Sequence, residues 1–484
     1  MPAYSRTEAL ESLHDVDPDW PVSGVAQVLA DPANDELLRH VSVDAFTHVF
    51  PGDQDDHPPS AFLADLDAEL SQAPEFHLWA ELPLCRYRCH FCQFPILVLG
   101  RDGDRAAQVA RRWVDANIAE ARLWLDAVPA LRRTPVGEFC LFGGTPTAVP
   151  TGELERLVDF YTDAFRFTAT SSLRAEGSPD SLDDEVLHAL ATMGFDVLTY
   201  GIQSFDDDLL ALANRRHTGA QAAAGVGAAR RAGFDRVDAD LVWGLPGQTV
   251  SGFVADVRRM IDLDFDTIVA IKLHLRSFHD VDSAIGHVSP APWEDPAVRA
   301  RIAGSGRAWP TLGRQYQMRE AAVSLLGDAG HYEHPTTYFP KRSRGAERWR
   351  ALNLDQDKQY PQVGIGLGGY TWSARSEANT VEDPTGYLRQ VAAGRIPLTS
   401  VTRISAAGRV VRAVRMALST CQPLTETDHR RRFPDDSLLT ARWAAVFDDL
   451  AGRGLVEVDR AEGRITLTPP GRTLVEAVIN TAIR

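Results

Sequence analysis

The octapeptide CRYRCHFC at residues 85–92 marks the point from which the fold of this chain can be worked out. It follows an apolar stretch, residues 76–81, that has the length and composition of a strand. Beyond it, strand-like runs alternate with amphipathic stretches of helical periodicity, such as residues 105–128. Such strict alternation predicts parallel strands joined by crossover helices. The strands are predicted at residues 76–81, 139–142, 172–176, 197–203, 237–242 and 268–275.

Residues that could take part in catalysis or ligand binding follow the predicted strands. Six strand–helix units suit either an open doubly wound sheet or an incomplete barrel. A ring of such groups at the carboxyl ends of the strands is what the active site of a barrel requires. We therefore predict an α/β fold, an incomplete (β/α)6 barrel. In strand order, the groups are the three cysteines, the sequence Gly143-Gly144-Thr145, Glu176, Gln203, Asp240 and His274.

Length and charge exclude several classes of protein. The chain has 484 residues, which is enough for about three domains. Its 50 basic and 66 acidic residues give a formal charge of −16, which disfavours binding to nucleic acid or to an anionic membrane. We find no run of about 18 apolar residues, and residues 1–19 lack the apolar core of a secretory signal. We expect a cytoplasmic protein with no nucleic-acid or membrane partner.

Changes in sequence texture divide the chain into four predicted segments. Residues 1–70 are an acidic, turn-rich N-terminal extension, and residues 71–285 form the barrel. Residues 286–395 are a less regular extension that contains the glycine loop GIGLGGY at 364–370. Residues 396–484 combine helices, a short hairpin and the sequence LTPPG, a winged-helix-like pattern. Because its most basic run, HRRR, is short, a packing or lid role is favoured over DNA binding.

The cysteine loop predicts an iron–sulfur cluster. Cys85, Cys89 and Cys92 could bind three corners of a cubane cluster and leave one iron open to an external ligand. A structural zinc site, with His77 or His90 as the fourth ligand, is the alternative. His90 lies between two of the cysteines, which is an awkward position for reaching the same metal. A zinc ribbon would also bring a second ligand pair from a distant hairpin.

Several motifs taken together resemble those of one enzyme family. The cysteine spacing after the first strand is similar to that of radical S-adenosylmethionine (SAM) enzymes. LFGGTPT at 141–147, RAEGSPD at 174–180, GIQSFDDDLLALANRRHT at 201–218 and DADLVWGLPGQT at 238–249 resemble, in the same order, signatures of the oxygen-independent coproporphyrinogen III oxidase (HemN-like) subfamily. The C-terminal segment is similar to that subfamily's C-terminal domain. The resemblance covers residues 72–484.

This resemblance implies a [4Fe–4S] cluster on the three cysteines, with SAM chelating the open iron. Phe91 would flank the adenine of SAM, and Glu176 would contact the same molecule. Gly143 and Gly144 would let the backbone approach the methionine moiety, because a Cβ there would collide with it. Thr145 would add a hydroxyl group. An external one-electron reductant of the flavodoxin or ferredoxin type would supply the electron.

A second SAM molecule beside the first is also implied by the resemblance. The residues that match its site are Gln203, Arg215, Asp240 and the backbone at His274. Trp79 falls where the family has an aromatic residue near the first SAM. An arginine suits a carboxylate through bidentate contact, and an aspartate suits an ammonium group or ribose hydroxyls. Taken singly, each carboxylate could instead be a helix cap or a salt-bridge partner.

Some positions depart from the pattern of the family. Gln93 and Phe94 follow the third cysteine in place of a glycine–cysteine pair, and Phe142 occupies the first position of the usual triple glycine. Glu81 replaces a histidine, and residues 352–360 lack the HNxxYW-like motif of the heme-chaperone relatives. These departures argue against porphyrinogen decarboxylation and heme trafficking.

The remaining relatives use two SAM molecules to add a carbon atom to an sp2 centre. We therefore predict a class C-like methyltransferase or cyclopropanase that acts on a small unsaturated substrate. His274 and Tyr370 are candidates for a base if a proton must leave. The alternatives are an oxidative decarboxylase of the coproporphyrinogen III oxidase type and a heme-handling relative, either a chaperone or a heme-degrading enzyme.

Overall fold

A computed structural model describes residues 4–14, 16, 20, 22, 24–41, 54–100, 103–273, 275, 291–334, 337–342 and 360–483. Within these residues the strands form a twelve-stranded sheet, a three-stranded sheet and a two-stranded sheet. In chain order, the strands are β1 (Gln54–Asp56), β2 (Phe76–Leu82), β3 (Leu84–Cys85), β4 (Leu97–Val98), β5 (Val136–Gly143), β6 (Ser172–Gly177), β7 (Val197–Gln203), β8 (Arg236–Trp243), β9 (Thr267–Lys272), β10 (Tyr338–Pro340), β11 (Gln362–Gly366), β12 (Tyr370–Trp372), β13 (Ser376–Thr380), β14 (Leu398–Ile404), β15 (Leu424–Thr425), β16 (Val456–Asp459) and β17 (Arg464–Leu467).

The six predicted parallel strands lie side by side in the order in which they occur along the chain. The order across the large sheet is β1-β14-β13-β12-β11-β2-β5-β6-β7-β8-β9-β10. Strands β2, β5, β6, β7, β8 and β9 run parallel, and β11 adds a further parallel strand beside β2. The outer strands pair antiparallel. The predicted α/β fold with six parallel core strands is confirmed, and in the described part of the chain the sheet stays open between β1 and β10.

Helices connect the parallel strands and bury one face of the sheet. In β2 the alternate residues Phe76, Leu78, Ala80 and Leu82 share a hydrophobic core with helical residues such as Val114. In chain order, the helices are α1 (Arg6–His14), α2 (Val25–Ala30), α3 (Pro59–Leu70), α4 (Gly103–Ala127), α5 (Thr151–Ala164), α6 (Asp184–Thr192), α7 (Asp207–Leu212), α8 (Gly219–Ala232), α9 (Val250–Asp262), α10 (Pro296–Gly304), α11 (Leu312–Asp328), α12 (Pro384–Ala392), α13 (Ala406–Ser419), α14 (Glu426–Arg432), α15 (Ala441–Gly452), α16 (Pro469–Thr473) and α17 (Val475–Ala482).

The strand residues that alternate with this core carry polar groups into the interior. Arg174 of β6 lies 3.3 Å from Glu138 of β5 and 3.4 Å from Glu176 at the end of its own strand. The same guanidinium lies 5.7 Å from the ring centroid of Trp79. Burial and the neighbouring Arg174 lower the pKa of His77 to about 3. A buried charge network therefore lies at the strand face opposite the helices, and it extends to the carboxyl end of β6.

The C-terminal segment builds a second hydrophobic core together with the start of the chain. β15, β17 and β16 form an antiparallel sheet that accompanies α14 and α15, as the winged-helix-like pattern predicts. Val25 and Leu29 of α2 are buried in the same cluster as Trp443 and Val478. The N-terminal extension, to which no chemistry was assigned, thus contributes packing to the C-terminal domain.

Details at the segment boundaries differ from the sequence-based expectation. β14 lies in the segment assigned to the C-terminal domain, but it pairs with β13 and β1 in the large sheet. The sixth parallel strand was predicted to reach residue 275, whereas β9 ends at Lys272. His274 lies outside the described residues. None of the helices described combines the length and apolar character that crossing a bilayer requires.

Candidate active site

An open cavity lies where the carboxyl ends of the parallel strands meet the cysteine loop. We call it the central cavity. It gathers most of the site residues predicted from the sequence, which come from the cysteine loop, the ends of four strands and the segment after α7. These residues are Cys85, Cys89, Phe91, Cys92, Gly143, Gly144, Thr145, Glu176, Gln203, Arg215 and Asp240.

Hydrogen bonds to neighbouring segments hold the cysteine loop in place. The His90 amide donates to the carbonyl oxygen of Ala213 over 3.0 Å, and Nδ1 of the same histidine lies 2.8 Å from the carbonyl oxygen of Leu212. The Trp293 amide donates to the carbonyl oxygen of His90 over 2.9 Å. His90 therefore positions the loop through both its main chain and its ring.

Two glycines allow the end of β5 to lie against the cysteine loop. A Cβ on Gly143, where φ is +112°, would lie 2.7 Å from the carbonyl oxygen of Leu82. A Cβ on Gly144 would lie 2.5 Å from the carbonyl oxygen of Leu84 and 2.9 Å from the sulfur of Cys85. The atoms that exclude a side chain here belong to the chain's own backbone and to a thiol. The sequence-based prediction differs, because it names the methionine moiety of SAM as the group that would collide with a side chain at these two positions.

The guanidinium of Arg215 joins a cysteine to the strand ends. Its Nη1 donates to the sulfur of Cys89 over 3.3 Å, and its Nη2 donates to Oγ of Ser178 over 2.8 Å. Nη2 also donates to the carbonyl oxygen of Gly201. Burial opposes the positive charge, but the nearby Cys89 and other acidic groups keep the pKa of Arg215 raised. A permanent positive charge therefore lies beside one of the three thiols.

Two carboxyl groups face the same cavity, and burial disfavours their ionisation. Burial raises the pKa of Glu176 to about 7, although the adjacent Arg174 opposes the shift. Burial and repulsion from Glu176 raise the pKa of Asp240 to about 8. A cationic ligand would stabilise both carboxylates. The sulfonium and ammonium groups of SAM are charges of this kind.

The end of β7 is irregular at Gln203. The pairing of β7 with β8 shifts register between Gly201 and Gln203, and Gln203 has a φ of +73°, which is uncommon for a residue with a side chain. A Cβ on Gly201 would lie 2.9 Å from Nε2 of Gln203 and 3.5 Å from Nη2 of Arg215. Backbone strain of this kind concentrates at functional sites. It supports the prediction that Gln203 belongs to the site.

Neither histidine considered as a fourth zinc ligand lines the central cavity with the three thiols. Burial raises the pKa of Cys85 to about 11 and that of Cys92 to about 12, and repulsion from Cys89 adds to both shifts. The thiols therefore interact within one cavity. Among the residues that the structure describes, no group of three His, Cys, Asp or Glu side chains is arranged to hold one metal ion. The two histidines considered for zinc are placed elsewhere, because His90 bonds to Leu212 and His77 is buried in the interior.

Two predicted site residues that the structure describes, Trp79 and Tyr370, do not line the central cavity. Trp79 lies behind Phe142, with 5.0 Å between the ring centroids. Tyr370 donates its hydroxyl hydrogen to Glu377, and burial together with that carboxylate raises the pKa of Tyr370 further above its usual value. The geometry therefore gives no support to Tyr370 as a base. For His274, outside the described residues, the predicted role remains a prediction.

Other residues of the cavity wall were missed by the sequence reasoning. Tyr87 lies between the first two cysteines and donates to Oδ1 of Asp180 over 2.8 Å; its hydroxyl is 3.5 Å from Oγ of Ser178. Ser178 and Asp180 belong to the RAEGSPD motif, so the sequence signalled their neighbourhood but not their link to the cysteine loop. Phe94 and Ile96 also line the cavity. Of these two, Phe94 was noted as a departure from the family.

Comparisons with known proteins identify the domain type. The model of the radical SAM superfamily matches residues 82–260. The chain is similar to the heme chaperone HemW of Bacillus subtilis (strain 168), with 23% identity over 399 residues that cover 82% of this chain and 96% of that protein. It is similar to HemW of Mycobacterium tuberculosis (strain ATCC 25618 / H37Rv), with 26% identity over 416 residues, 84% of this chain and 95% of that protein.

A second group of relatives consists of oxidases. The oxygen-independent coproporphyrinogen III oxidase of Escherichia coli (strain K12) is 28% identical over 214 residues, which cover 44% of this chain and 45% of that protein. The solved structure of coproporphyrinogen III oxidase (HemN) from Escherichia coli matches with a TM-score of 0.73 at 21% identity, covering 90% of this chain and 96% of the other. The chain therefore has a radical SAM fold of the HemN-like type.

Proposed function

We propose that this radical SAM enzyme is an oxygen-independent oxidative decarboxylase of the coproporphyrinogen III oxidase type. The observation that carries the proposal is the central cavity, in which the cysteine loop meets Glu176, Arg215 and Asp240. These are groups suited to holding SAM beside a cluster, and SAM cleavage requires such an arrangement. The relatives named for coproporphyrinogen and for heme support a tetrapyrrole as the substrate.

This proposal replaces the one-carbon transfer that the sequence favoured. The relatives are named as coproporphyrinogen III oxidases and heme chaperones, and they favour decarboxylation or heme handling over methylation or cyclopropanation. The departures at Phe94 and Phe142 alter the apolar part of the cavity wall. They leave the charged groups in place, so they bear on which substrate fits more than on whether SAM is used.

The charged residues of the cavity would hold and orient SAM. When bound, the [4Fe–4S] cluster and SAM supply one electron and a 5′-deoxyadenosyl radical, the reagent that removes a hydrogen atom from the substrate. Glu176 would contact the first SAM, whereas Arg215 and Asp240, which match the site of the second, would bind its carboxylate and its ammonium group or ribose hydroxyls. Because a cation lowers the pKa of a neighbouring carboxyl group, binding near pH 7 would release protons from Glu176 and Asp240.

The overall change in this reaction converts a propionate side chain into a vinyl group and CO2. One hydrogen atom leaves in 5′-deoxyadenosine, and one electron leaves to an external one-electron acceptor. An external reductant of the flavodoxin or ferredoxin type would supply the electron for SAM cleavage. Gln203 and Asp240, which match the site of a second SAM, share the cavity with Glu176. We include two SAM molecules per chain in the proposal.

A heme chaperone is the second candidate, and the extent of the similarity favours it. The HemW relatives align along 95–96% of their own length, whereas the Escherichia coli oxidase aligns along 45% of its length. A chaperone would bind heme and cleave little SAM without a substrate. The two candidates therefore differ in turnover.

Anaerobic turnover of the reconstituted enzyme tests the proposal. Reduced protein is incubated with coproporphyrinogen III and methyl-deuterated SAM, and 5′-deoxyadenosine, CO2 and the tetrapyrrole products are measured. We expect 5′-deoxyadenosine without deuterium, together with CO2 and a vinyl product. Deuterium in 5′-deoxyadenosine and a labelled carbon in the product would restore one-carbon transfer. Stoichiometric hemin binding with neither product would instead favour the chaperone.

A substitution of Glu176 tests whether the formation of 5′-deoxyadenosine depends on the central cavity. Glu176→Gln removes the carboxylate and should lower 5′-deoxyadenosine formation by roughly tenfold, the expected effect of one lost charged hydrogen bond. Glu185→Gln, a matched change at an exposed position of α6, should leave it unaffected. Equal losses in both variants would show that the effect does not come from the cavity.

A further inference from the structure

The wall of the central cavity has a charged part and an apolar part. The charged part comes from the strand ends and includes Glu176, Arg215 and Asp240. The apolar part includes Phe94 and Phe142, and it lies beside the cysteine loop. SAM is a charged ligand that suits the first part. The apolar part is therefore available to a different, less polar ligand.

Phe94 is exposed although its main chain is firmly held. Phe94 is 43% exposed, and it lines the central cavity. The side chain of the preceding Gln93 donates from Nε2 to Oε1 of Glu294 over 2.7 Å. On the other side, Pro95 packs so closely against the glycine loop that its Cγ would be 3.1 Å from a Cβ on Gly368. The segment that carries Phe94 is thus anchored on both sides, at Gln93 and at Pro95.

Phe94 continues into a row of aromatic rings that leads towards the interior. The ring centroids of Phe94 and Phe142 are 5.6 Å apart at 85°, an edge-to-face contact. The centroids of Phe142 and Trp79 are 5.0 Å apart at 51°. Edge-to-face and offset contacts are the arrangements that aromatic rings prefer, and a further ring can join them. Phe94 and Phe142 are also two of the positions at which the sequence departs from the HemN-like pattern.

We propose that Phe94 and Phe142 form a specificity wall that binds one flat aromatic ring of the substrate. The inference rests on the proposed function, because it assumes that the central cavity is where the substrate reacts. It adds that the substrate presents a flat ring, such as a pyrrole ring of a tetrapyrrole, to Phe94 while SAM occupies the charged part. The ring lies beside the cysteine loop because Phe94 follows Cys92 by two residues and its ring contacts that of Phe142.

Ligand binding to the reconstituted holoprotein tests the wall. Two probes are used under anaerobic conditions with SAM present: metal-free coproporphyrin III, which has no iron to capture a protein ligand, and 2-naphthol, a small fused ring. Dissociation constants are measured from probe fluorescence for the wild type, Phe94→Leu and Phe142→Leu. Leucine keeps an apolar side chain but lacks the aromatic face. We expect the coproporphyrin dissociation constant to rise roughly 3- to 10-fold in each variant.

Val98→Ala is the matched control. Val98 is 51% exposed and follows Phe94 in the same segment, but it does not line the cavity. The Val98→Ala variant should bind both probes with the dissociation constants of the wild type. Iron content and the affinity for SAM are measured for every variant, and they should stay unchanged. A loss of SAM affinity in Phe94→Leu, with unchanged probe binding, would assign the ring to the SAM site and overturn the inference.

The remaining outcomes separate the wall from the proposed function. If coproporphyrin binds the wild type and both leucine variants equally, the wall is overturned while a tetrapyrrole substrate survives. If Phe94→Leu weakens the binding of 2-naphthol, and coproporphyrin does not bind the wild type, the wall is supported and a tetrapyrrole substrate is rejected. If neither probe binds the wild type, or if Val98→Ala weakens binding as much as Phe94→Leu, the wall is rejected.

Discussion

Nη1 of Arg215 lies 3.3 Å from the sulfur of Cys89, although 126 positions separate the two residues in the chain. The contact forms because the segment that follows α7 returns to the cysteine loop, where the Ala213 carbonyl accepts a hydrogen bond from His90. A charged donor beside a thiolate ligand stabilises negative charge on an iron–sulfur cluster, and the reduced cluster carries one more negative charge than the oxidised one. With the proposed cluster bound, Arg215 would therefore influence its reduction potential.

Removal of this donor is predicted to lower the reduction potential of the cluster. In Arg215→Leu we expect a shift on the order of tens of millivolts, because the reduced state loses a hydrogen bond and a nearby positive charge. The measurement is an EPR-monitored redox titration of reconstituted protein without SAM. Arg216→Leu is the control: it removes the same charge one residue later, from a guanidinium that lies over the ring of Tyr87. Equal shifts in both variants would mean that overall charge, and not the contact with Cys89, sets the potential.

The cysteine loop is predicted to be the sole cluster site. Alanine at Cys85, Cys89 or Cys92 should abolish cluster assembly, whereas wild-type protein should hold about four irons per chain. Cys140→Ala and Cys421→Ala provide controls with the same chemical change outside the loop. Iron and sulfide analysis after anaerobic reconstitution measures the result. Stoichiometric zinc without iron in the native protein would contradict the prediction.

Gly144 is predicted to tolerate no side chain. In Gly144→Ala the new methyl group would lie 2.5 Å from the carbonyl oxygen of Leu84 and 2.9 Å from the sulfur of Cys85. We expect a loss of about 1–3 kcal/mol in the free energy of unfolding and poorer cluster assembly. Thermal unfolding and iron content measure these effects. Gly152→Ala, where no atom lies within 4 Å of the added Cβ, should keep both properties within error or gain slight stability.

A buried carboxyl group far from the cysteines is predicted to make stability depend on pH. Burial raises the pKa of Glu120 to about 8, although hydrogen bonds from Tyr387 and Trp124 oppose the shift. A raised carboxyl pKa means that the folded state holds its proton more tightly than the unfolded state. The contribution of Glu120 is therefore complete below about pH 4.5, the usual value for an exposed glutamate, and it is lost as pH rises through about 8.

Glu120→Gln should flatten this dependence, because glutamine cannot ionise. Between pH 5 and pH 8 the melting temperature of the wild type should fall more steeply than that of the variant, by an amount that corresponds to a few kcal/mol. The fall that is due to other carboxyl groups of raised pKa, such as Glu176 and Asp240, should remain in both. Glu185→Gln, at an exposed position, should follow the wild type. A wild-type curve that rises over this interval, or a variant with the same slope, would contradict the prediction.

The types of the core elements and the parallel direction of the strands could be predicted from the sequence because they depend on local periodicity and on the alternation of elements. Apolar alternation in β2 and helical spacing in α4 show which face of each element is buried, and alternation of the two element types requires parallel crossovers. The spacing of Cys85, Cys89 and Cys92 places them on one loop by covalent geometry alone. These features need no knowledge of distant partners. They indicated the fold class and the position of the predicted cluster site.

The tertiary structure decided which distant residues meet. Nothing in the local sequence places Arg215 against Cys89, sets Phe94 edge-on to Phe142, or packs α2 with Trp443. The tertiary structure also places Tyr370 outside the lining of the central cavity, although its position at the end of the glycine loop had suggested a role as a base. Periodicity reports the face on which a side chain lies, whereas its partner depends on how loops from different strands converge. That convergence depends on the order and twist of the strands and on the packing of the whole core. The local sequence therefore determined the elements, whereas the tertiary structure decided which residues form the wall of the central cavity.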